Sequence, residues 1–364
     1  MLQNIPRKIF DLGHIPHLPV YDIIPHMEKS NTISAWLKPT RLRLLVQWGF
    51  LAFCLFLGVQ FGLFVQHYES FGATPSYIRP PGVEGFLPIG ALVSLKYWLT
   101  SGRIDPIHPA ALVLFLTFLA LALLTRKSFC SWICPVGTLE ESFWKLGKRL
   151  FGRNFKVWQW LDIPLRGVKY LLLAFFLKLI LLDMPAAALQ GFLAAPYWAV
   201  ADVKMLHFFT SLSALSLGVI GLLALLSLFF KNAWCRYLCP YGALLGLFSY
   251  LSPLRITRDQ HQCIDCGKCS TVCPALLEVH RKRQVLSPEC TGCLTCVSHC
   301  PAPGALDMKV VWWRQPLPGW VFGLVVLAIF AGGVGSGMLS GHWETSLTHQ
   351  DFQRLIPLAQ RLGH

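Results

Sequence analysis

Apolar residues in this chain come in long unbroken runs, not in the alternations expected of half-exposed helices and strands. Runs approaching twenty residues match the thickness of a bilayer's hydrocarbon core. They fall at about 44–65, 109–124, 168–182, 206–230 and 320–339. The pattern predicts a membrane all-α bundle of about five transmembrane helices. Residues 67–105 have a different texture, broken by proline and glycine, and the apolar piece 86–99 is too short to cross. It reads as a half-helix or interfacial segment at the outer face, with Tyr97 and Trp98 at headgroup level. Lys178 sits inside the third run and is expected to snorkel toward the interface. Gly332, Gly333, Gly335 and Gly337 would let another helix approach the fifth run closely.

Polar stretches divide the chain into an N-terminal arm (1–43), a four-helix membrane domain (44–254), a small α+β ferredoxin-like module (255–318), and a fifth helix with a short tail (319–364). The arm carries His14, His17 and His26 among prolines and reads as solvated or interfacial, with no h-region of a signal peptide. Composition agrees with a membrane protein: 54% of the 364 residues are hydrophobic and 14% charged, against about 25% charged in soluble domains.

The net charge of +14 would suit nucleic acid, but its distribution does not. Of 32 Lys and Arg, 25 lie in segments 1–43, 125–169 and 231–318, six lie in the alternate segments 67–105, 184–205 and 341–364, and the last is Lys178. Such a bias marks the inner side of a membrane. It predicts a multi-pass protein of a bacterial inner membrane, with a cytoplasmic N-terminus and ferredoxin module and a periplasmic C-terminus. Membrane lipid is the expected partner of these basic loops, and no nucleic acid is expected.

The chemistry is carried by cysteine. CIDCGKCSTVCP at 263–274 and CTGCLTCVSHCP at 290–301 each have the spacing C-x2-C-x2-C-x3-C-P, the run of bacterial two-cluster ferredoxins. Three cysteines two residues apart let a loop curl around one corner of an iron–sulfur cube, while the fourth crosses to the other cluster. Cys263, Cys266, Cys269 and Cys300 would hold one [4Fe-4S] cluster, and Cys290, Cys293, Cys296 and Cys273 the second. Pro274 and Pro301 turn the chain away after the crossing residues. Structural zinc sites pair their ligands across a longer gap, and disulfide frameworks belong to small secreted domains, so neither fits.

A second motif occurs twice, 105 residues apart: Cys130-x3-Cys134-Pro135-x-Gly137 and Cys235-x3-Cys239-Pro240-x-Gly242, each following an apolar run and basic residues. Repeats in membrane proteins often meet at a shared site. Four thiolates would complete a third iron–sulfur centre; a redox-active thiol pair or plain packing are the alternatives. Cys54 reads as a small hydrophobe. His67, His108 and His207, near outer helix ends, are the candidates for a quinone or haem site, against the ordinary reading of headgroup histidines. The string Phe71-Gly72-Ala73-Thr74 only faintly matches a flavin-attachment motif, and neither haem nor flavin is expected. No catalytic acid–base constellation, phosphate loop or nucleotide fingerprint is apparent. The expected role is electron carriage, and whether the chain serves as the electron-transfer subunit of a quinol-linked oxidoreductase stays open.

Multispan helices, two CxxxCP motifs and paired ferredoxin motifs resemble the NapH/NosR/RdxA polyferredoxin family of bacterial inner membranes, and within it the YccM-type electron transport proteins. The resemblance covers about residues 44–340. It implies electron transfer between the quinone pool and a redox protein partner, within a larger complex in some members. It also implies an alternative: reduction of a metal ion, or cofactor assembly, for another respiratory enzyme.

Overall fold

The structure, a computed structural model, describes residues 39–312 and 315–362. The histidines of the N-terminal arm lie outside the described residues.

Helix α1 (Pro39–Glu69) is 31 residues long and ends in a turn at Phe71 and Gly72, both with positive φ. A 3₁₀ turn (Pro81–Phe86) leads to α2 (Pro88–Ser101), the expected half-helix. Then α3 (Pro109–Thr125) begins with proline in its first turn, where no N–H is needed, and stops at Arg126 with φ 63°. Helices α4 (Phe129–Trp132), α5 (Pro135–Phe151) and α6 (Gln159–Leu177) follow, and α6 runs on as a π turn (Lys178–Asp183). Next come α7 (Ala186–Ala194), α8 (Pro196–Ala199), α9 (Ala201–Thr210) and α10 (Ala214–Phe229), then a second π turn (Trp234–Leu238) and α11 (Pro240–Phe248). The cysteine-rich module comprises β1 (Leu254–Arg258), the single turns α12 (Lys268–Thr271) and α13 (Thr295–Ser298), and β2 (Leu306–Val310). Helices α14 (Gly319–Leu339) and α15 (His349–Leu355) close the chain.

Among the described residues two helices, α1 and α14, are long and apolar enough to cross a membrane, or up to four spans if two bent pairs each count as one. One pair joins α6 with its π turn to α7 across a 106° bend, and the other joins α9 to α10 across 76°. The fourth apolar run is therefore not one straight helix. It breaks at 211–213, where Ser213 accepts from the Ser216 N–H and starts α10 anew. The second run, α3, is apolar but 17 residues long, at the short limit for a crossing. Lys178 is two-thirds exposed and paired with Asp183 at 2.5 Å.

Of the four glycines between 332 and 337 on α14, two pack against a neighbouring helix. A Cβ on Gly333 would stand 2.2 Å from Thr117 Oγ1, and one on Gly337 would stand 2.7 Å from Val113, so α3 lies against this pair. Gly332 and Gly335 meet nothing within 4 Å.

β1 and β2 pair antiparallel with Ile256 opposite Met308, and both side chains are buried in the core shared with Trp132, Phe322 and Leu294. This core fastens the cysteine-rich module to the helices. Arg126, fully buried, donates to the carbonyls of Ser249, Val285 and Ser287. Ser131 Oγ and Trp132 Nε1 donate to the Thr291 and Gly292 carbonyls. Lys169 Nζ donates to Glu289 at 2.6 and 2.8 Å. Near the other end of α3, Arg79 bridges Glu84 and Asp202, and His108 Nδ1 lies 3.2 Å from Glu84. These buried charges tie the proline-rich segment to the bundle.

Candidate metal centres

The loops that carry the ferredoxin motifs are built alike. In Cys263-Ile-Asp-Cys266-Gly-Lys-Cys269, Asp265 and Gly267 have φ 48° and 67°. In Cys290-Thr-Gly-Cys293-Leu-Thr-Cys296, Gly292 and Leu294 have φ 61° and 56°. Left-handed residues at the same two places turn successive N–H groups inward, making the anion-binding nests found at iron–sulfur sites. Glycine takes this conformation at little cost. Asp265 and Leu294 are held in it at a cost of about 1–3 kcal/mol each, Leu294 by full burial.

Cys263, Cys266, Cys269 and Cys300 line one small cavity, together with Arg258 and His280. Cys273, Cys290, Cys293 and Cys296 line another. The structure thus brings together both sets that the spacing defines. The two differ in depth. All four cysteines of the second set are buried, whereas Cys266 of the first is exposed. Burial pushes the Cys273 thiol up to about 12. Arg258 Nη1 stands 3.3 Å from Cys263 Sγ and 2.7 Å from Asp265.

The repeated CxxxCP-x-G motif has a local explanation. Its second cysteine is the N-cap of the following helix, proline is the first helical residue, and glycine is the third. Cys239 Sγ accepts from the Gly242 N–H at 3.2 Å, whereas the Cys134 side chain makes no such cap bond. A sulfur held there faces the positive end of a helix dipole, which favours the thiolate. Glycine is required at 137 because a Cβ would stand 2.1 Å from the Cys130 carbonyl oxygen.

Cys130, Cys134, Cys235 and Cys239 all line one cavity of about 540 Å³. The first cysteines come from α4 and the second π turn, the second from the starts of α5 and α11. Burial pushes the Cys130 thiol up to about 11 and Cys134 to about 12, each also feeling neighbouring cysteines of the group. Such thiols stay protonated until a metal displaces the proton. The cavity also takes in Arg43, Lys127, Glu141, Tyr241 and Glu289, and continues along α1 past Cys54 to Leu57, a reach of roughly 20 Å at the helical rise. Exposed Phe53, Phe86 and Met338 border it. Cys293 and Thr291 belong to this cavity and to the second ferredoxin cavity alike.

Among the described residues no three His, Cys, Asp or Glu side chains gather so as to hold a single metal ion. The thiols stand around cavities instead, a donor set that fits a four-iron cube better than a lone tetrahedral ion.

The candidate histidines lie elsewhere. His67 Nδ1 bonds the Thr74 carbonyl, His207 pairs with Glu69 at 3.0 Å, and His108 is buried with Glu84; none lines the large cavity. Sequence reasoning missed Lys127, Lys169 and Glu289, whose charges were read only as topology signals or not at all.

Helices bearing paired thiol motifs around a cavity, joined to a module with two four-cysteine pockets, define a membrane-associated iron–sulfur protein. Comparison agrees. Residues 107–154 and 212–258 match a family model described as a 4Fe-4S binding domain, and 255–301 match a 4Fe-4S dicluster domain. The first model spans both CxxxCP motifs. YccM of Escherichia coli (strain K12), an electron transport protein by name, is 44% identical over 91% of this chain and 92% of its own length. The ferredoxin-type protein NapH of the same organism is 28% identical over 49% of this chain and 61% of its own. The regulatory protein NosR of Pseudomonas aeruginosa is 29% identical over 50% and 25%. The chain belongs to this family of membrane-associated ferredoxin-type electron transport proteins. No solved structure matches it.

Proposed function

We propose that the protein takes electrons from a membrane quinol and hands them, one at a time, to a redox protein partner. Cys263, Cys266, Cys269 and Cys300 would hold one [4Fe-4S] cluster, Cys273, Cys290, Cys293 and Cys296 a second, and Cys130, Cys134, Cys235 and Cys239 a third. Bound there, the clusters supply one-electron carriage, which splits the two-electron oxidation of a quinol into single transfers. Each quinol oxidised to quinone yields two electrons and two protons.

The observation that carries the reading is Cys293, which lines both the CxxxCP cavity and its own ferredoxin cavity. The middle thiols and the buried ferredoxin set therefore share a wall. The cavity's size lies in the range of small-molecule sites, and its mouth is bordered by exposed apolar side chains of the kind a lipid-soluble carrier would pass. At the other end, exposed Cys266 puts the first ferredoxin set within reach of a partner. On this reading the module lies on the cytoplasmic face of a bacterial inner membrane and the C-terminus on the outer side, which the charge asymmetry supports.

The test is anaerobic purification with iron and sulfide analysis, followed by a redox-difference spectrum on adding quinol. Three clusters require about twelve irons per chain, falling to about eight in Cys130→Ser or Cys235→Ser. A full complement of iron that does not respond to quinol would remove the quinone link.

A further inference from the structure

Most of the charged groups around the CxxxCP cavity are neutralised. Arg43 is held by Glu141 through two bonds of 2.7 Å. Arg236 is held by Asp162 at 3.0 and 2.9 Å. Lys169, behind the wall, takes Glu289 at 2.6 and 2.8 Å. Lys127 is different. It lines the cavity, is 3% exposed, and has no carboxylate within ion-pair distance among the described residues. A Cβ built on Gly242 would stand 3.4 Å from Lys127 Nζ and 3.5 Å from Cys239 Sγ, so ammonium and sulfur flank the same point. Cys130, Cys235 and Glu289 are its other electrostatic neighbours.

Glu289, the carboxylate that acts on Lys127, is already bonded to Lys169. A buried ammonium left with only a share of one carboxylate is unfavourable, and neutral thiols are no remedy. Four thiolates on an iron–sulfur cube are: that assembly carries net negative charge, one unit more when reduced. The repeat supports a dedicated role. Counting 105 residues on from Lys127 reaches Asn232, whose side chain donates to the Pro274 carbonyl at 3.3 Å. The position equivalent to Lys127 in the second motif is therefore neutral. Gly242 leaves room for it, since a larger side chain there would press on both Nζ and the sulfur.

We infer that Lys127 is the built-in counter-charge of the CxxxCP centre: it balances the thiolates inside the protein and raises the reduction potential of whatever cluster they hold. The inference rests on the reading of those cysteines as cluster ligands. A fixed positive charge a few ångströms away in a low-dielectric surround favours the form with the extra electron, so this centre is made easier to reduce than an uncompensated one.

The test uses the full chain, purified anaerobically, with iron counted and each midpoint potential followed by EPR. Lys127→Gln is expected to keep about twelve irons. It should shift one centre's electron occupancy at fixed potential at least tenfold, about 59 mV for one electron, with the other centres unmoved. Lys127→Arg should restore most of the shift. A thermal comparison guards against misfolding. Lys127→Met should lower the melting midpoint of the otherwise unaltered chain. The same change should raise it once Cys130, Cys134, Cys235 and Cys239 are all replaced by serine, because only Glu289, already held by Lys169, is then left to balance the charge. Twelve irons with unshifted potentials in Lys127→Gln, or a thermal shift of the same sign in both backgrounds, would overturn the role of the lysine alone. Eight irons in the unaltered chain would overturn the cluster reading itself, and the lysine's role with it.

Discussion

Gly137 and Gly242 hold the same place in two copies of one motif, yet alanine should be ruinous at the first and tolerated at the second. At 137 the new Cβ would stand 2.1 Å from the Cys130 carbonyl oxygen, which is backbone and belongs to a proposed ligand. Ordinary contact begins near 3.4 Å, so the start of α5 must retreat by roughly 1.3 Å, beyond the about 0.5 Å that an assembled site tolerates. Because Cys134 is the N-cap residue of that helix, its sulfur moves with it. Overpacking of this kind costs about 1–3 kcal/mol in stability, but the larger effect is on geometry. At 242 the nearest atoms are the far end of Lys127 at 3.4 Å and Cys239 Sγ at 3.5 Å, already at contact distance. Iron and sulfide analysis after anaerobic purification reads the difference. Gly137→Ala should fall from about twelve irons to about eight, the ferredoxin pair surviving, while Gly242→Ala keeps the full set. Equal losses in the two variants, or none in Gly137→Ala, would show that the glycines do not serve the geometry described.

Two further outcomes follow from packing and charge. Burial pushes the Glu141 carboxyl up, but Arg43 and Lys145 bring it down from 4.5 to about 2. A depressed folded value stabilises the protein above about pH 4.5 and fades as pH falls toward 2, a contribution on the order of 3 kcal/mol. The gap in melting midpoint between wild type and Glu141→Gln should therefore narrow on acidification from pH 6 to pH 3; a constant gap would refute the ion pair's role. On α14, Gly333→Ala should destabilise by about 1–3 kcal/mol through collision with Thr117, whereas Gly335→Ala, which meets nothing within 4 Å, should leave the melting midpoint unchanged.

How far the sequence could be read depended on whether a feature was local. Cysteine spacing groups Cys263 with Cys266 and Cys269 because one loop carries all three, and the structure places them, with Cys300, around a common cavity. The ends of α14 were legible for the same reason, since a run of apolar residues declares its own length, whereas α1 extends four or five residues beyond its apolar run at each end. The 211–213 break was not. Ser211 and Ser213 are weak punctuation inside an apolar run, and only the bend itself shows that Ser213 restarts the helix. Nor could the four glycines between 332 and 337 disclose that only Gly333 and Gly337 meet α3. That depends on which face the neighbour takes.

Charge was the most misleading signal. Lys127 and Lys169 belong to basic segments flanking apolar runs, and counted together they speak only of topology. Both prove to be buried, at 3% and 0% exposure. Burial inverts their meaning: a lysine in a loop can be solvated, but one behind a wall must be answered by something anionic. Glu289 answers Lys169 from the position just before Cys290, so the membrane helices grip the module at the edge of its buried cysteine set. Lys127 faces the CxxxCP cysteines, and the counter-charge proposed for it is their thiolate form on a bound cluster. Electrostatics and motif spacing, read independently, thus converge on the same cavity.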